Sequence, residues 1–242
     1  MSEKSLMIIL PTYTGSIHCH TTNCLIHDML GLAARGHHFR VVHDIGNADI
    51  RASRNWLITQ FLNSDCTDLF FVDWDVIWPT DTMSKFLEAP VDLVAGVYRQ
   101  RIDPEQYALR WLPDRPTLQA DPATGFLEVE AVPAGFMRVS RAGVERIVAK
   151  FPDSQGNSPN GKVWRFFNSI IGPDNMEWGE DFSFCWRFAQ AGGQIWIDPD
   201  LELGHVGYKT FSGSLGKWLR NKPTFLDDVR ASFSDVTIEE AA

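Results

Sequence analysis

The amino-acid sequence predicts an α/β fold: a single domain built on a doubly wound, mainly parallel sheet with a short mixed C-terminal part. Through residues 1–98, apolar runs of strand length alternate with segments whose apolar residues recur at helical spacing. Such alternation predicts parallel strands joined by right-handed helical crossovers. Of the 242 residues, 44% are hydrophobic and 22% are charged, so one large domain can bury a core. The sequence contains no internal repeat and no obvious linker, which is why one domain is expected.

Four strands and three helices are expected in residues 1–98. The strands are Ser5–Leu10, His38–Asp44, Asp68–Asp75 and Asp92–Tyr98, and the helices are Thr22–Gly36, Ile50–Leu62 and a short one before the fourth strand. Pro11 should stop the first strand because proline lacks the N–H that a strand ladder uses. Gly36 suits the position just after a helix, and Asn47 or Asp49 suits the cap that begins the second helix.

Residues 99–220 are less regular and form the second half of the predicted domain. Phe126–Phe151 suggests a strand, a Pro-Ala-Gly break, another strand and a helix. Glu180–Gly193 suggests a helix that ends at its glycines, followed by the strand Gln194–Asp198. Residues 153–178 carry Gly, Asn, Pro and Ser around several aromatic side chains, which predicts a long functional loop.

The overall composition excludes some functions. A formal net charge of -9 and a pI near 5.2 argue against a broad electrostatic surface for nucleic acid. The four cysteines are too sparse for a disulfide scaffold and are expected to be reduced thiols. No secretory signal and no apolar run of the roughly 18 residues that a membrane span needs is present, so a cytoplasmic protein is expected, in the host cytoplasm if the source is viral. Residues 221–242 are polar and acidic and are expected to be a mobile tail.

The third predicted strand ends in two carboxylates, Asp73 and Asp75, with Trp74 between them. In an extended chain, side chains two residues apart point to the same side and lie about 7 Å from each other. Ligands of doubly wound sheets bind at the carboxyl ends of the parallel strands. Hard oxygen ligands of this kind suit Mn²⁺ or Mg²⁺, usually shared with substrate phosphates. A helix cap and a surface turn would explain the same residues without a metal.

A hydrophobic strand that ends in Asp-x-Asp after about 70 residues of alternating strands and helices resembles the GT-A (Rossmann-like) class of nucleotide-sugar glycosyltransferases, of the family 2-like, Asp-x-Asp type. The resemblance implies that Asp73 and Asp75 hold Mn²⁺ or Mg²⁺ against the donor diphosphate, with Trp74 beside it. It covers roughly residues 5–215, with 1–98 as the nucleotide-binding half and 99–220 as the acceptor and catalytic half.

A short basic segment, RASRN, is the first of three further matches to this class. Arg51 and Arg54 lie three residues apart, on one face of the first turns of a predicted helix. Helix N-termini attract anions, and arginine adds a bidentate fork for phosphate. The resemblance implies that this segment contacts the donor. A solvated helix face is the alternative for both arginines.

Two later segments complete the resemblance. In WGEDFSFCWR it implies that Asp181 is the general base that deprotonates the acceptor hydroxyl, with Glu180 as its neighbour. Acidic residues at that place also stabilise a helix N-terminus through its dipole. In ELGHVGYK the resemblance implies that His205 completes the metal site and that Lys209 neutralises the diphosphate. A neutral imidazole is a good ligand for Mn²⁺.

Smaller features agree with the same donor site. Pro11, Thr12 and Tyr13 end the first strand, where the class binds the base and ribose of the nucleotide. Asp44 ends the second strand and could accept hydrogen bonds from the ribose or base. Gly135 would allow the backbone to approach the sugar closely. The segment PTYTGSIHCH departs from the Pro-Thr-Tyr-Asn start of many relatives, so the base stays open between UDP- and GDP-sugars.

These features predict a metal-dependent glycosyltransferase that acts on a saccharide, lipid-linked or protein hydroxyl and inverts the anomeric carbon, with Asp181 as base. A retaining mechanism is open if Asp181 does not face that carbon. A nucleotidyltransferase is a rival, but no Gly-rich basic loop follows the first strand. A non-catalytic nucleotide- or sugar-binding protein would leave the acidic residues and His205 without a common purpose.

Two further alternatives concern particular clusters. The acceptor could be a hydroxymethylated base in viral DNA, since Arg99, Arg101, Arg110 and Arg115 could form a local basic groove. The segment HCHTTNC, residues 18–24, offers four soft ligands for zinc, although its spacing matches no common zinc module.

Overall fold

We describe residues 3–114, 117–159 and 161–221 of the protein from a computed structural model. The strands are β1 (Ser5–Thr12), β2 (His38–Ile45), β3 (Asp68–Val72), β4 (Val76–Ile77), β5 (Leu93–Ala95), β6 (Leu127–Val129), β7 (Phe136–Ser140), β8 (Gln155–Ser158), β9 (Gly161–Trp164), β10 (Ile170–Ile171), β11 (Glu177–Trp178), β12 (Ile195–Ile197), β13 (Leu203–Val206) and β14 (Thr210–Gly213). The helices are α1 (Cys19–Ala34), α2 (Ile50–Leu62), α3 (Thr82–Glu88), α4 (Arg141–Lys150), α5 (Glu180–Gln190) and α6 (Leu215–Arg220), with a 3-10 turn at Pro152–Ser154.

The central sheet has seven strands in the order β2-β1-β3-β7-β5-β12-β6. β1 pairs in parallel with β2 and β3, and β12 pairs in parallel with β5. β7 lies between β3 and β5 and is antiparallel to both, while β6 is antiparallel to β12. Strands β1, β2, β3, β5 and β12 therefore run in one direction, which confirms a mostly parallel α/β sheet. The insertion of β7 into its centre was not predicted.

Apolar side chains of the strands alternate between two layers. Leu6 and Ile8 pack on one face of the sheet with apolar residues of α1 and α3. Met7 and Ile9 pack on the other face with residues of α2, α4 and α5. This alternation follows from the two-residue period of a strand. Helices thus cover both faces, as the prediction of a doubly wound sheet requires.

The ends of α1, α2 and β1 can be compared with the ends that capping residues, glycine and proline predicted. α2 has the predicted bounds, and its cap is Asp49, whose side chain accepts hydrogen bonds from the backbone of Arg51 and Ala52. Gly36 follows α1 with φ +77°, the left-handed conformation that glycine tolerates. The prediction that Pro11 stops β1 was wrong, since β1 continues to Thr12. Its pairing with β3 ends at Ile9, so a residue without N–H is tolerated there.

Residues 153–178 were predicted as a long loop, which is only partly right. They contain two small antiparallel pairs, β8 with β9 and β10 with β11. Phe166, Phe167 and Trp178 are buried. The Phe167 ring stacks on Phe184 of α5 at 4.6 Å between centroids. These aromatic side chains fill the core, so they do not form a binding surface. Of the predicted tail, residues 222–242 lie outside the described residues.

None of the helices in the described ranges combines the length and the apolar character needed to cross a membrane.

Asp28 of α1 is fully buried and fixes the connection between β4 and α3. Its carboxylate accepts hydrogen bonds from Trp78 Nε1 at 2.9 Å and from the backbone N–H groups of Asp81 and Met83 at 2.6 and 2.9 Å. Asp28→Ala would leave these three donors without their acceptor. We therefore expect the free energy of unfolding, measured by urea denaturation, to fall by about 2–4 kcal/mol.

Asp65→Ala is the matched control for this prediction. Asp65 is likewise an aspartate that accepts a hydrogen bond, in its case from Arg40 at 2.7 Å, but its side chain is 85% exposed. Its removal should change the free energy of unfolding by less than about 0.5 kcal/mol. An equal loss in the two variants would show that the Asp28 network does not stabilise the fold.

Candidate functional site

A cleft of about 360 Å³ lies at the carboxyl ends of β1 and β3. The predicted site residues that line it are Pro11, Thr12, Tyr13, Arg54, Asp73, Trp74, Asp75, Glu180, Asp181 and His205. Other lining residues are Asn47, Ala48, Ile50 and Arg101. The structure therefore brings together most of the residues that the sequence singled out, from segments far apart in the chain. This edge of the sheet is where doubly wound folds bind their ligands.

A larger depression, about 900 Å³, lies at the opposite edge of the sheet. It contains none of the predicted site residues. Arg138 is buried there against Asp68, and Arg146 pairs with Asp92 at 2.8 Å. Both arginines are already paired with carboxylates of the protein. The smaller cleft is therefore the better candidate for a ligand-binding site.

Arg54, in the second turn of α2, is the centre of the charge network in the cleft. Its side chain is 3% exposed. Nη2 donates to Asp73 Oδ1 at 2.9 Å, and Nη1 donates to Glu180 Oε1 at 3.0 Å and to Asp181 Oδ1. The first turn of α5 supplies the last two carboxylates. Three carboxylates thus share one buried guanidinium, and the phosphate contact expected of Arg54 stays a prediction.

The surroundings of Asp181 raise the pKa of its carboxyl above the usual range. Burial raises its pKa to about 6; the guanidinium of Arg54 opposes the rise, and the carboxylates of Glu180 and Asp73 add to it. A carboxylate with a pKa near 6 is mostly ionised at neutral pH and is a stronger proton acceptor than an ordinary aspartate. The site therefore contains a group suited to general-base chemistry.

Asp75 and His205 approach each other because β4 and β13 are paired. His205 lies opposite Val76 in this pairing, and the backbone of Val206 donates to the carbonyl of Asp75 at 2.8 Å. His205 Nε2 is 3.8 Å from Asp75 Oδ1. Asp75 is 4% exposed, and the guanidinium of Arg101 contacts its other oxygen. An acidic side chain, an imidazole and a guanidinium therefore meet at one point.

The protonation of His205 follows from its other contact. Its Nδ1 lies 3.1 Å from the carbonyl oxygen of Arg99, which can only accept, so Nδ1 carries the proton. Burial, and then the charge of Arg101, lower the pKa of His205. The ring is neutral near pH 7, and the lone pair of Nε2 faces Asp75. This is the tautomer that a metal-binding imidazole requires.

Asp73 packs against Gly135 and Tyr98. Its backbone N–H donates to the carbonyl of Gly135 at 2.8 Å, and Tyr98 Oη donates to Asp73 Oδ2 at 3.4 Å. A Cβ on Gly135 would lie 2.3 Å from Asp73 Oδ2, so the carboxylate fits only because residue 135 is glycine. Tyr98 also packs its ring on His205, at 4.7 Å between centroids. Tyr98 was missed as a site residue, although it ends the predicted strand Asp92–Tyr98 at this same edge of the sheet.

The cleft has an excess of negative charge. Four carboxylates, those of Asp73, Asp75, Glu180 and Asp181, face the two guanidiniums of Arg54 and Arg101, while His205 is neutral. The formal sum is four negative minus two positive charges, or -2. Desolvated carboxylates in excess favour the binding of a cation.

The expected three-ligand metal site is not assembled. Within the described part of the chain, no group of three or more His, Cys, Asp or Glu side chains is arranged to hold one ion. Asp73 is drawn instead to Arg54 and Tyr98. Asp75 and His205 remain as a carboxylate and an imidazole that could bind one ion between them. Two protein ligands fit the common mode in which substrate phosphates and water complete the coordination of Mn²⁺ or Mg²⁺.

Four predicted site residues lie outside the cleft lining. Gly135 acts through Asp73, as described. Lys209 Nζ pairs with Asp103 at 2.7 Å, because β14 begins beside the loop that contains Asp103. Arg51 pairs with its own helix cap, Asp49, at 2.7 Å. Asp44 accepts a hydrogen bond from Asn47 Nδ2 at 3.1 Å, so that Asn47 faces the cleft in its place.

The predicted basic groove and zinc cluster do not form among the described residues. Arg99 pairs with Asp103, Arg101 with Asp75, and Arg110 with Glu130 and Asp174. Arg115 lies outside the described residues. In segment 18–24, the ring of His18 caps α1, and the thiol of Cys24 lies 3.3 Å from the carbonyl oxygen of Trp78.

No protein-family model matches the sequence, and no curated protein matches it. Among solved structures, the chain is similar to one described as the crystal structure of a glycosyltransferase involved in the glycosylation of the major capsid of PBCV-1. The two chains are 12% identical, with a TM-score of 0.33, over 61% of this chain and 67% of that chain. So distant a likeness assigns neither fold nor activity, and the cleft itself has to support any assignment.

Proposed function

We propose that the protein is a GT-A-type glycosyltransferase that moves a sugar from a nucleoside-diphosphate donor, a UDP- or GDP-sugar, to an acceptor hydroxyl. One observation carries this proposal. Asp181, a carboxylate with a pKa near 6, lies in the same cleft as the Asp75–His205 pair. This cleft is at the C-terminal ends of the parallel strands and has a formal charge of -2. A proton acceptor and a cation-seeking site in one cleft suit this transfer.

Asp181 would take the proton of the acceptor hydroxyl as its oxygen forms a bond to the anomeric carbon. The bond from that carbon to the diphosphate breaks at the same time, which inverts the configuration. Arg54 keeps Asp181 in place through its Nη1. Asp75 and His205 would hold Mn²⁺ or Mg²⁺, which supplies charge stabilisation for the departing diphosphate. The acceptor would be a saccharide, lipid-linked or protein hydroxyl.

The donor would enter beside the end of β1. Tyr13 and Trp74 line the cleft there and are 65% and 41% exposed. Exposed aromatic rings at a cleft offer surfaces on which a planar base can stack. Thr12 and Asn47 add polar groups beside these rings. The position of these side chains supports a nucleotide as the donor.

A thermal-shift panel of UDP, GDP, CDP and TDP, each with and without Mn²⁺, tests the proposal. A nucleotide at about 100 times its Kd stabilises the native state by roughly 2.7 kcal/mol. For a chain of this length, that corresponds to a rise in Tm of about 5–10 °C. We expect one nucleotide to produce it with Mn²⁺, and we expect Asp75→Asn and His205→Gln to abolish the Mn²⁺-dependent part.

His38→Gln is the matched control, because His38 is an exposed histidine that pairs with Glu3 away from the cleft. It should keep the full shift. If no nucleotide stabilises the folded wild-type protein with or without Mn²⁺, the protein is not a nucleotide-sugar glycosyltransferase. Stabilisation without any need for Mn²⁺ would retain the donor site and remove the metal from the proposal.

A further inference from the structure

Arg101 holds an unusual place in the cleft. It follows β5 in a loop, and its side chain is 37% exposed, yet its guanidinium contacts Asp75, whose side chain is 6% exposed. Among the described residues, Asp75 is the one carboxylate paired with Arg101. An exposed arginine thus neutralises a buried carboxylate that also lies 3.8 Å from the free nitrogen of His205.

Arg101 has fewer polar contacts than Arg99, its neighbour in the same loop. The stem of Arg101 packs closely against Gly207, which follows β13, since a Cβ on this glycine would lie 3.1 Å from Arg101 Cδ. Arg99 of the same loop is fixed more firmly. Its Nη2 donates to the carbonyl of Ile102 at 3.1 Å and contacts Asp103, and its guanidinium lies 5.5 Å from the Phe211 ring. Arg101, which is 37% exposed and has one ion-pair partner among the described residues, is therefore held by fewer contacts than Arg99.

We propose that Arg101 is an internal cation that competes with the divalent metal ion for Asp75. The inference rests on the proposed function. While no ion is bound, Arg101 offsets the charge of Asp75. Once Asp75 and His205 engage an ion, the guanidinium is released and pairs with the diphosphate of the donor, for which its planar fork of donors is suited.

This arrangement has two consequences of opposite sign. Removing Arg101 takes a competing charge from Asp75, and the formal charge of the cleft changes from -2 to -3. The affinity for a divalent cation should rise. The affinity for a nucleoside diphosphate should fall, because the donor loses a charged partner. Simple damage to the loop would weaken both interactions.

The test is Arg101→Gln, with Mn²⁺ alone and then a nucleotide as the probes. The free Mn²⁺ signal in electron paramagnetic resonance gives the Kd of the ion, and calorimetry at saturating Mn²⁺ gives the Kd of UDP, GDP, CDP and TDP. We expect Mn²⁺ to bind about tenfold more tightly than to the wild type and the preferred nucleotide about tenfold more weakly. Arg99→Gln removes the same charge from the same loop and should change neither Kd by more than about twofold.

An Mn²⁺ Kd in Arg101→Gln that equals or exceeds that of the wild type would overturn the competition. Nucleotide stabilisation of the wild type would then leave the proposed function intact. If instead Mn²⁺ binds more tightly to the variant but no nucleotide binds to either protein, Arg101 does compete for Asp75, and it is the proposed function that fails.

Discussion

Arg54→Met is expected to lower the free energy of unfolding by about 3–5 kcal/mol near pH 7, the largest stability effect predicted for this protein. The substitution keeps an unbranched apolar side chain about as long as the aliphatic stem of arginine, but it leaves Asp73, Glu180 and Asp181 without the guanidinium that they share. These carboxylates are only 22–27% exposed, and partly desolvated carboxylates that repel one another without a counter-charge are costly. Denaturation by urea, followed by the fluorescence of tryptophan, measures the loss.

The loss in Arg54→Met should shrink as the pH falls. Arg54 opposes the rise in the pKa of Asp181, so without Arg54 the folded-state pKa of Asp181 lies further above its unfolded value. A carboxyl with a raised folded pKa destabilises the native state as the pH rises through that pKa. We therefore expect a deficit that is smaller at about pH 5 than at about pH 7. A deficit that does not depend on pH would mean that lost packing, and not charge, is responsible.

Arg51→Met is the matched control, since Arg51 lies one turn earlier in the same helix. Its guanidinium pairs only with the exposed Asp49 among the described residues, with side chains 46% and 44% exposed. The expected change is below about 0.5 kcal/mol. A loss comparable to that of Arg54→Met would point to α2 itself and not to the carboxylates.

Asp181→Asn is expected to slow sugar transfer by about 10²–10⁴-fold, because an amide cannot accept the proton of the acceptor hydroxyl. The rate is measured as release of the nucleoside diphosphate from the donor that the thermal-shift panel indicates. The wild-type rate should rise with pH through about 6, where Asp181 loses its proton. The variant should lack this rise.

The stability of Asp181→Asn separates a loss of chemistry from a loss of structure. Because its folded-state pKa is raised to about 6, Asp181 destabilises the native state as the pH rises through that value. Asparagine removes this effect, so the variant should be at least as stable as the wild type at neutral pH. Glu180→Gln, which alters the other carboxylate on Arg54 Nη1, should slow transfer by less than about tenfold. If Glu180→Gln were the slower enzyme, the roles of the two residues would be exchanged.

Local elements were predictable where their signals lie within a few residues of one another. The bounds of α2 follow from Asp49, which caps it, and from the apolar spacing that continues to Leu62. The turn after α1 follows from Gly36, the residue best able to adopt φ +77°. The predicted end of β1 failed because strand pairing, which no local pattern reports, extends β1 past Pro11.

The partners of charged side chains were much less predictable. Lys209 and Asp103 are 106 residues apart in the chain, and Arg54 and Asp181 are 127 apart. The residues next to an arginine in the sequence do not show whether it binds the phosphate of a ligand or pairs with carboxylates of the protein. The burial of the aromatic residues near Phe167 was equally hard to predict. A run of aromatic residues has the same sequence pattern whether it packs in a core or lines a binding surface.

The sequence by itself determined which residues reach one edge of the sheet. Strand periodicity places Asp73 and Asp75 at the end of β3, and an element-by-element prediction places Glu180 and Asp181 at the start of α5. Only the tertiary structure decided what these carboxylates face. Strand order and the pairing of β4 with β13 bring Arg54 against three of them, and Arg101 and His205 against the fourth. Secondary structure depends on neighbours in the chain, whereas the electrostatics of a cleft depends on neighbours in space.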